Sequence, residues 1–159
     1  MRANADAYAR EMRERLQLAV TVCDAPEQAV RGADIVVTAG PIEKPAKPTI
    51  EGAWLNEGVL AVPLDFDAYF RADAFARGQL FYTDDCAQLE HFRTLGYFAK
   101  VPSVTREVAH VLAGKDPGRT AAAQIIFSIN LGIGLLDVAL AAELLREARR
   151  QGVGRRLPL

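Results

Sequence analysis

The alternation of short apolar runs with segments of helical periodicity is the strongest constraint on the fold. Five runs have strand character: Leu18–Val22, Asp34–Pro41, Val59–Val62, Gly78–Asp85 and Gln124–Asn130. The run beginning at Asp34 is short, apolar and bounded by a turn, which is typical of a strand buried on both faces of a parallel sheet. Strands that alternate with helices predict βαβ units and an α/β fold with a doubly wound parallel sheet.

Helical segments separate these runs and close the chain. Residue spacing predicts helices over Asn4–Leu16, from Asp24 to Gly32, and over Asp67–Phe75, Asp85–Phe98, Thr105–Ala113 and Leu131–Gln151. The expected N-caps are Asp24, Asp67, Asp85 and Thr105. A Pro-rich stretch, "PIEKPAKPTI", interrupts the pattern and predicts a loop.

Length and composition exclude several classes of protein. The 159 residues correspond to one domain or a piece of a larger one, and a net charge of −1 gives no electrostatic footprint for nucleic acid. No apolar run reaches membrane-spanning length, and the N-terminus is too polar for a signal peptide. Cys23 and Cys86 lie far apart, which predicts neither a disulfide framework nor a zinc site and fits the cytoplasm.

Polar side chains stand at the ends of four predicted strands. In open parallel sheets, ligands bind at the carboxyl ends of the strands. The residues at these ends are Thr38, Asp65, Asp84 with Asp85, and Asn130. Taken singly, strand-end Asp, Thr and Asn residues are more often ordinary caps and turn formers.

Asp65 is the exception, because it follows Pro63 and lies between Leu64 and Phe66. A carboxyl group in an apolar setting can act as a general acid or base near neutral pH. Asp67 is expected to cap the following helix instead.

His91 and His110 fall on separate predicted helices, where a surface or packing role is favoured. The stretch "DDCAQLEH" contains possible metal ligands, but its spacing is not a recognised one and capping by Asp85 explains it more simply.

A family resemblance emerges from four stretches taken in order. They are "RGADIVVTAGPIEKP", "GVLAVPLDFDAYF", "LFYTDDCAQLEHFRTLGYF" and the C-terminal stretch that begins "IIFSINLGIGLLDVALA". Together they resemble the C-terminal half of the ornithine cyclodeaminase/mu-crystallin family. The chain contains no GxGxxG after a first strand, in agreement with a resemblance limited to that half.

The resemblance implies a fold and a cofactor. Residues 1–130 would form the C-terminal part of a Rossmann-like domain that lacks its first strands, and residues 131–159 a helix and tail for packing or oligomerisation. Family members bind NAD or NADP and act on an amino or imino acid. Asp65 matches the family's active-site acid, Thr38 a position beside the cofactor ribose, and Asn130 a polar residue near the nicotinamide.

The same resemblance implies that this chain holds only part of the site. In the family, the glycine-rich turn, the ribose-binding acid, and the Arg and Lys that grip the substrate carboxylate belong to the N-terminal half. The chain alone is therefore expected to bind the cofactor weakly or not at all, and to associate with a complementary N-terminal half or as a homo-oligomer. "VPLDFD" replaces the family's glycine-rich turn, which leaves open a substrate other than ornithine.

A rival interpretation is a non-catalytic binding or scaffolding subunit that keeps the fold without the chemistry. An adjacent reading frame encoding a GxGxxG half would favour a split enzyme, and its absence would favour a relic or a truncated chain.

Overall fold

A four-stranded parallel sheet forms the centre of the computed structural model, which describes residues 2–155 and 157. The strands are β1 (Ile35–Thr38), β2 (Leu60–Pro63), β3 (Leu80–Thr83) and β4 (Ile126–Ile129), in the spatial order β1-β2-β4-β3. All three strand pairs are parallel, so all four carboxyl ends meet at one edge of the sheet. The predicted α/β class and parallel sheet are confirmed.

Within the described residues, six α-helices and a 3-10 turn at Gly52–Trp54 connect or flank the strands. The helices are α1 (Arg2–Leu16), α2 (Pro26–Val30), α3 (Ala72–Phe75), α4 (Cys86–Thr94), α5 (Val108–Leu112) and α6 (Gly134–Gln151). Each predicted helix exists, but several are shorter than expected. Arg156, Pro158 and Leu159 of the predicted tail lie outside the described residues.

The core lies between the sheet and the short helices that follow β2. Phe127 of β4 packs against Phe70, Phe75 and Phe81, with ring centroids 5.0–5.4 Å apart. All four residues of β4 are buried, as expected for a central strand. This aromatic cluster packs against the sheet that carries the candidate site at its edge.

The prediction of a strand at Leu18–Val22 is wrong, because this segment is not part of the sheet. A β-strand requires hydrogen bonds from a neighbouring strand, and no described residue pairs with it. The prediction that β1 is buried on both faces is also wrong. Ile35 and Val37 are 61% and 55% exposed, whereas Val36 is buried.

Three predicted N-caps are also corrected. Ala25 takes the N-cap position of α2, and the Asp24 carboxylate pairs with Arg2 instead. Asp67 lies in a turn, and Arg71 takes the N-cap position of α3, which begins only at Ala72. Helix α5 begins at Val108 rather than near Thr105, since the Arg106 carbonyl accepts a hydrogen bond from the Thr83 backbone N–H of β3.

Helix α6 starts three residues later than predicted and carries an apolar surface. The side chains of Leu135, Leu136, Val138, Leu140, Leu144 and Leu145 are all more than half exposed. None of the described helices is both long enough and apolar enough to cross a membrane. The helix therefore presents a large uncovered apolar surface in the part of the chain that the structure describes.

Candidate active site at the carboxyl edge of the sheet

The carboxylate of Asp65 joins the loops that follow β1 and β2. Its Oδ1 accepts a hydrogen bond from the Thr38 hydroxyl at 2.7 Å, and its Oδ2 accepts one from the Gly40 N–H at 2.9 Å. The side chain is buried, with only 1% of its surface exposed. The structure thus brings together two of the predicted site residues, Asp65 and Thr38, although they are separated by 27 positions in sequence.

An aromatic side chain lies close against Gly40. A Cβ at this position would lie 2.3 Å from the Tyr69 hydroxyl oxygen and 2.5 Å from the ring carbon that carries it. Tyr69 also donates a hydrogen bond of 3.4 Å to the Pro41 carbonyl. The Gly40 turn is therefore held by Asp65 on its backbone N–H and by Tyr69 across its face.

Asn130 lies on the wall of a separate groove at the same edge of the sheet. The groove has a volume of about 520 Å³ and is mostly apolar. Its lining includes Leu64, Leu112, Asn130, Leu131, Ile133 and Leu136. The Asn130 side-chain oxygen accepts a hydrogen bond from Ser128 at 3.2 Å. Neither Thr38 nor Asp65 lines this groove. Leu64, which does line it, is the residue directly before Asp65 in the chain.

Asp84 has a role that the sequence did not reveal. Its Oδ1 accepts a hydrogen bond from the Leu131 N–H at 3.1 Å, and its Oδ2 accepts one from the Gly132 N–H at 2.6 Å. The residue thereby fixes the segment that follows Asn130 and delays the start of α6. The tandem acids in "TDDC" offered the only signal, and they suggested capping for both residues.

The neighbouring acid Asp85 caps α4 as predicted, accepting a hydrogen bond from the Gln88 N–H at 2.7 Å. His91 and His110 are exposed.

Burial and the neighbouring Glu107 raise the pKa of the Cys86 thiol, which keeps it protonated near neutral pH. Among residues 2–155 and 157, no three His, Cys, Asp or Glu side chains are grouped as metal ligands.

Asp67, the second acid of "DFD", stands in a turn rather than at a helix cap. Burial raises the pKa of its carboxyl group, and this effect outweighs the backbone hydrogen bonds and the Arg93 charge that favour ionisation. Its surroundings thus differ from those of Asp65, whose two oxygens are both held by hydrogen bonds.

The chemistry of this edge fits part of a dinucleotide. The groove on whose wall Asn130 lies is apolar enough for a flat heteroaromatic ring, and the Asn130 amide offers a polar contact there. The Thr38 hydroxyl lies outside this groove and donates a hydrogen bond to Asp65. The turn between β4 and α6 contains Gly132 and Gly134 but lacks the third glycine of the pattern that binds a pyrophosphate.

Similarity to known proteins agrees with this geometry. The chain is 27% identical to an uncharacterized cyclodeaminase of Sinorhizobium fredii, over 94% of this chain and 47% of that protein. Its fold resembles Δ1-pyrroline-2-carboxylate reductase of Thermococcus litoralis in complex with NADH and L-proline, with 20% identity and a TM-score of 0.81 over 98% of this chain and 50% of that one. It also resembles an archaeal alanine dehydrogenase dimer with bound NAD, with 21% identity and a TM-score of 0.78 over 97% and 49% of the two chains.

The chain thus spans about half the length of the proteins it matches. These likenesses confirm the Rossmann-like fold suggested by the sequence. The model of one protein family matches residues 1–152, which is nearly the entire chain. The protein therefore belongs to the ornithine cyclodeaminase/mu-crystallin family.

Proposed function

We propose that the chain is the C-terminal half of an NAD(P)-dependent oxidoreductase that acts on an amino or imino acid. The observation that carries this proposal is the hydrogen bond between the strand-end residues Asp65 and Thr38, at the edge where parallel sheets bind ligands. Family membership supports the same class of reaction. The relatives bound to NADH and NAD support the cofactor class, with the choice between NAD and NADP left open.

When bound, a nicotinamide cofactor would supply hydride transfer at the substrate Cα. Thr38 would lie beside its ribose, and Asn130 close to its nicotinamide. Asp65 takes the proton that leaves the substrate amine or an attacking water. Because Asp65 is buried and Thr38 only half-buried, the proton passes through the Thr38 hydroxyl. Thr38 accepts the proton at Oγ1 while its own hydroxyl hydrogen moves to Asp65 Oδ1 across 2.7 Å.

A complementary N-terminal half supplies the remainder of the proposed site. Support for this partner comes from the exposed Ile35 and Val37 on β1 and from the uncovered leucines of α6. Both surfaces require apolar contacts that the described residues do not provide. The chain alone then binds the cofactor weakly, because the pyrophosphate contacts lie in the other half. The free thiols of Cys23 and Cys86 support a cytoplasmic location.

The test combines this chain with a polypeptide that carries the glycine-rich half and measures turnover of amino and imino acids. We expect Asp65→Asn to lower the rate about a hundredfold or more, since an amide cannot accept the proton. Thr38→Val should cause a similar loss by breaking the proton path, and Thr38→Ser should retain most of the rate. Asp67→Asn is the matched control and should stay close to the unmodified enzyme.

Near-normal turnover by Asp65→Asn would show that this carboxylate is not the proton acceptor. Calorimetry of the chain alone supplies a second check, because tight NAD(H) binding would contradict the half-site proposal.

A non-catalytic subunit is the second candidate, and the burial of Asp65 favours it. A carboxylate with 1% exposure and two internal hydrogen bonds can serve solely to join two loops. In that case Asp65→Asn would leave turnover of the combined enzyme unchanged while Asp65→Ala would lower its melting temperature.

A further inference from the structure

The residue after Asp65 adopts a backbone conformation that side chains disfavour. Phe66 has a φ of 64°, in the left-handed region usually occupied by glycine. A residue keeps such a conformation only when its surroundings enforce it, and such residues cluster at functional sites. The left-handed turn reverses the chain directly after Asp65 and leaves its carboxylate facing the Gly40 turn.

The Phe66 ring is held by three other aromatic rings. Its centroid lies 4.9 Å from that of Phe92, 5.2 Å from that of Tyr97 and 5.1 Å from that of Phe98. Two of these contacts are edge-on, which is a favoured arrangement for aromatic pairs. Phe98 is fully buried and is itself left-handed, with a φ of 58°. Two strained residues therefore stabilise each other through their rings.

Arg93 and Lys44 contact the segment that carries this aromatic group. The Arg93 guanidinium donates hydrogen bonds to the carbonyls of Phe98, Val101 and Pro102, at 2.6, 3.0 and 3.2 Å. On the other side, Lys44 from the loop after β1 lies 4.6 Å from the centre of the Tyr97 ring. The segment after α4 therefore contacts the loops after both β1 and β2, which are the two loops that Asp65 joins.

We propose that Phe66 is a positioning residue for Asp65. Its ring, anchored between Phe92, Tyr97 and Phe98, holds the turn that directs the Asp65 carboxylate to Thr38 and Gly40. This inference rests on the proposed function for its catalytic meaning, but the positioning itself is measurable in the chain alone. In place of the glycine-rich turn expected from the family resemblance, the chain uses an aromatic anchor.

The test follows the Gly40 amide hydrogen by NMR in the full chain, because that hydrogen is donated to Asp65 Oδ2. Its chemical shift and its exchange rate with solvent report the Asp65 position. We expect Phe66→Ala to shift the resonance and to speed exchange about tenfold, the loss of one hydrogen bond to a charged group. Phe66→Gly provides a variant that tolerates the left-handed turn, and it should show the same increase because nothing anchors its backbone.

Phe81→Ala is the matched control, since it also removes a partly buried ring, one stacked on Phe127 at 5.4 Å. It should lower stability without changing the Gly40 signals. An unchanged Gly40 signal in Phe66→Ala or Phe66→Gly, or an equal change in Phe81→Ala, would overturn the positioning role.

The positioning role of Phe66 and the acid–base role of Asp65 can be tested independently. A shifted and faster-exchanging Gly40 amide in the Phe66 variants, together with full turnover by Asp65→Asn in the combined enzyme, would support the positioning role and reject the acid–base assignment. An intact Gly40 signal with inactive Asp65→Asn would do the reverse.

Discussion

The Asp84 carboxylate accepts a 2.6 Å hydrogen bond from the backbone N–H of Gly132, a residue 48 positions later in the chain. A second bond, from the Leu131 N–H, reaches the other carboxylate oxygen. Asp84 follows β3 and Gly132 lies beyond β4, so the pair ties together two adjacent strand ends. It fixes both the segment beside Asn130 and the place where α6 begins.

The Asp84 carboxylate also accepts hydrogen bonds from the Thr83 hydroxyl and the Asp85 N–H. Asp84→Ala, which removes all four bonds, is therefore expected to lower the free energy of unfolding by about 2–3 kcal/mol or more. Amide exchange at Leu131 and Gly132 should become faster. Asp85→Ala is the control, because it removes only a helix cap and should cost about 1 kcal/mol. Denaturant unfolding and hydrogen exchange measure both effects. Equal costs, with unchanged exchange at Gly132, would contradict the role given to Asp84.

The exposed apolar surface on β1 and α6 predicts that the chain self-associates when it is alone at micromolar concentration. Val37→Lys should shift the sedimentation profile towards monomer, because a lysine on an edge strand opposes intermolecular pairing. Leu18→Lys is the control, since Leu18 is 56% exposed, like Val37, but lies outside the sheet. A chain that sediments as a monomer without any substitution would refute the prediction.

The sequence predicted the sheet well because its strands are short apolar runs between turn residues. Ile126–Ile129 is buried throughout, so hydrophobicity alone identifies it. Leu18–Val22 is also mostly apolar but forms no strand, since pairing depends on a neighbouring strand and not on the segment itself. Local sequence could not reveal that dependence.

The candidate site was predictable in part for a similar reason. Position at a strand end identified Asp65 and Thr38, and the hydrogen bond between them follows from the pairing of β1 with β2. The roles of Asp84 and Phe66 were not predictable, because each depends on contacts distant in sequence. The left-handed turn at Phe66 was hidden further, since an aromatic residue gives no signal for that conformation.

The raised pKa of Asp67 predicts a pH dependence of stability. Burial places this pKa above its usual value of 3.8, so the folded chain binds more protons than the unfolded chain just above that pH. The contribution of Asp67 is therefore present at low pH and is lost as the pH rises through the folded pKa. Asp67→Asn removes the buried charge and should be as stable as the unmodified chain, or more stable, at neutral pH.

Urea unfolding from acid to neutral pH checks this expectation. The stability advantage of Asp67→Asn should shrink as the pH falls through the raised pKa of the folded state, and it should be lost below pH 3.8, where the carboxyl group is protonated in both states. Asp34→Asn is the control, because Asp34 is exposed. An advantage of Asp67→Asn that grows towards acid pH would mean that the sign of the shift is wrong.

Gly58 and Gly114 allow the cost of backbone strain to be distinguished from the cost of a steric clash. Gly58 and Gly114 have φ values of 77° and 69°, so alanine is strained at both positions. A Cβ at Gly58 would lie 2.5 Å from the backbone carbonyl oxygen of Ala122, whereas a Cβ at Gly114 meets nothing within 4 Å. Gly114→Ala should cost about 1–2 kcal/mol from strain alone. Gly58→Ala should cost about 3 kcal/mol or more, because the loops before β2 and β4 must move apart. Thermal and urea unfolding of both variants measure the difference, and equal costs would show that the Gly58 and Ala122 backbones do not pack as closely as described.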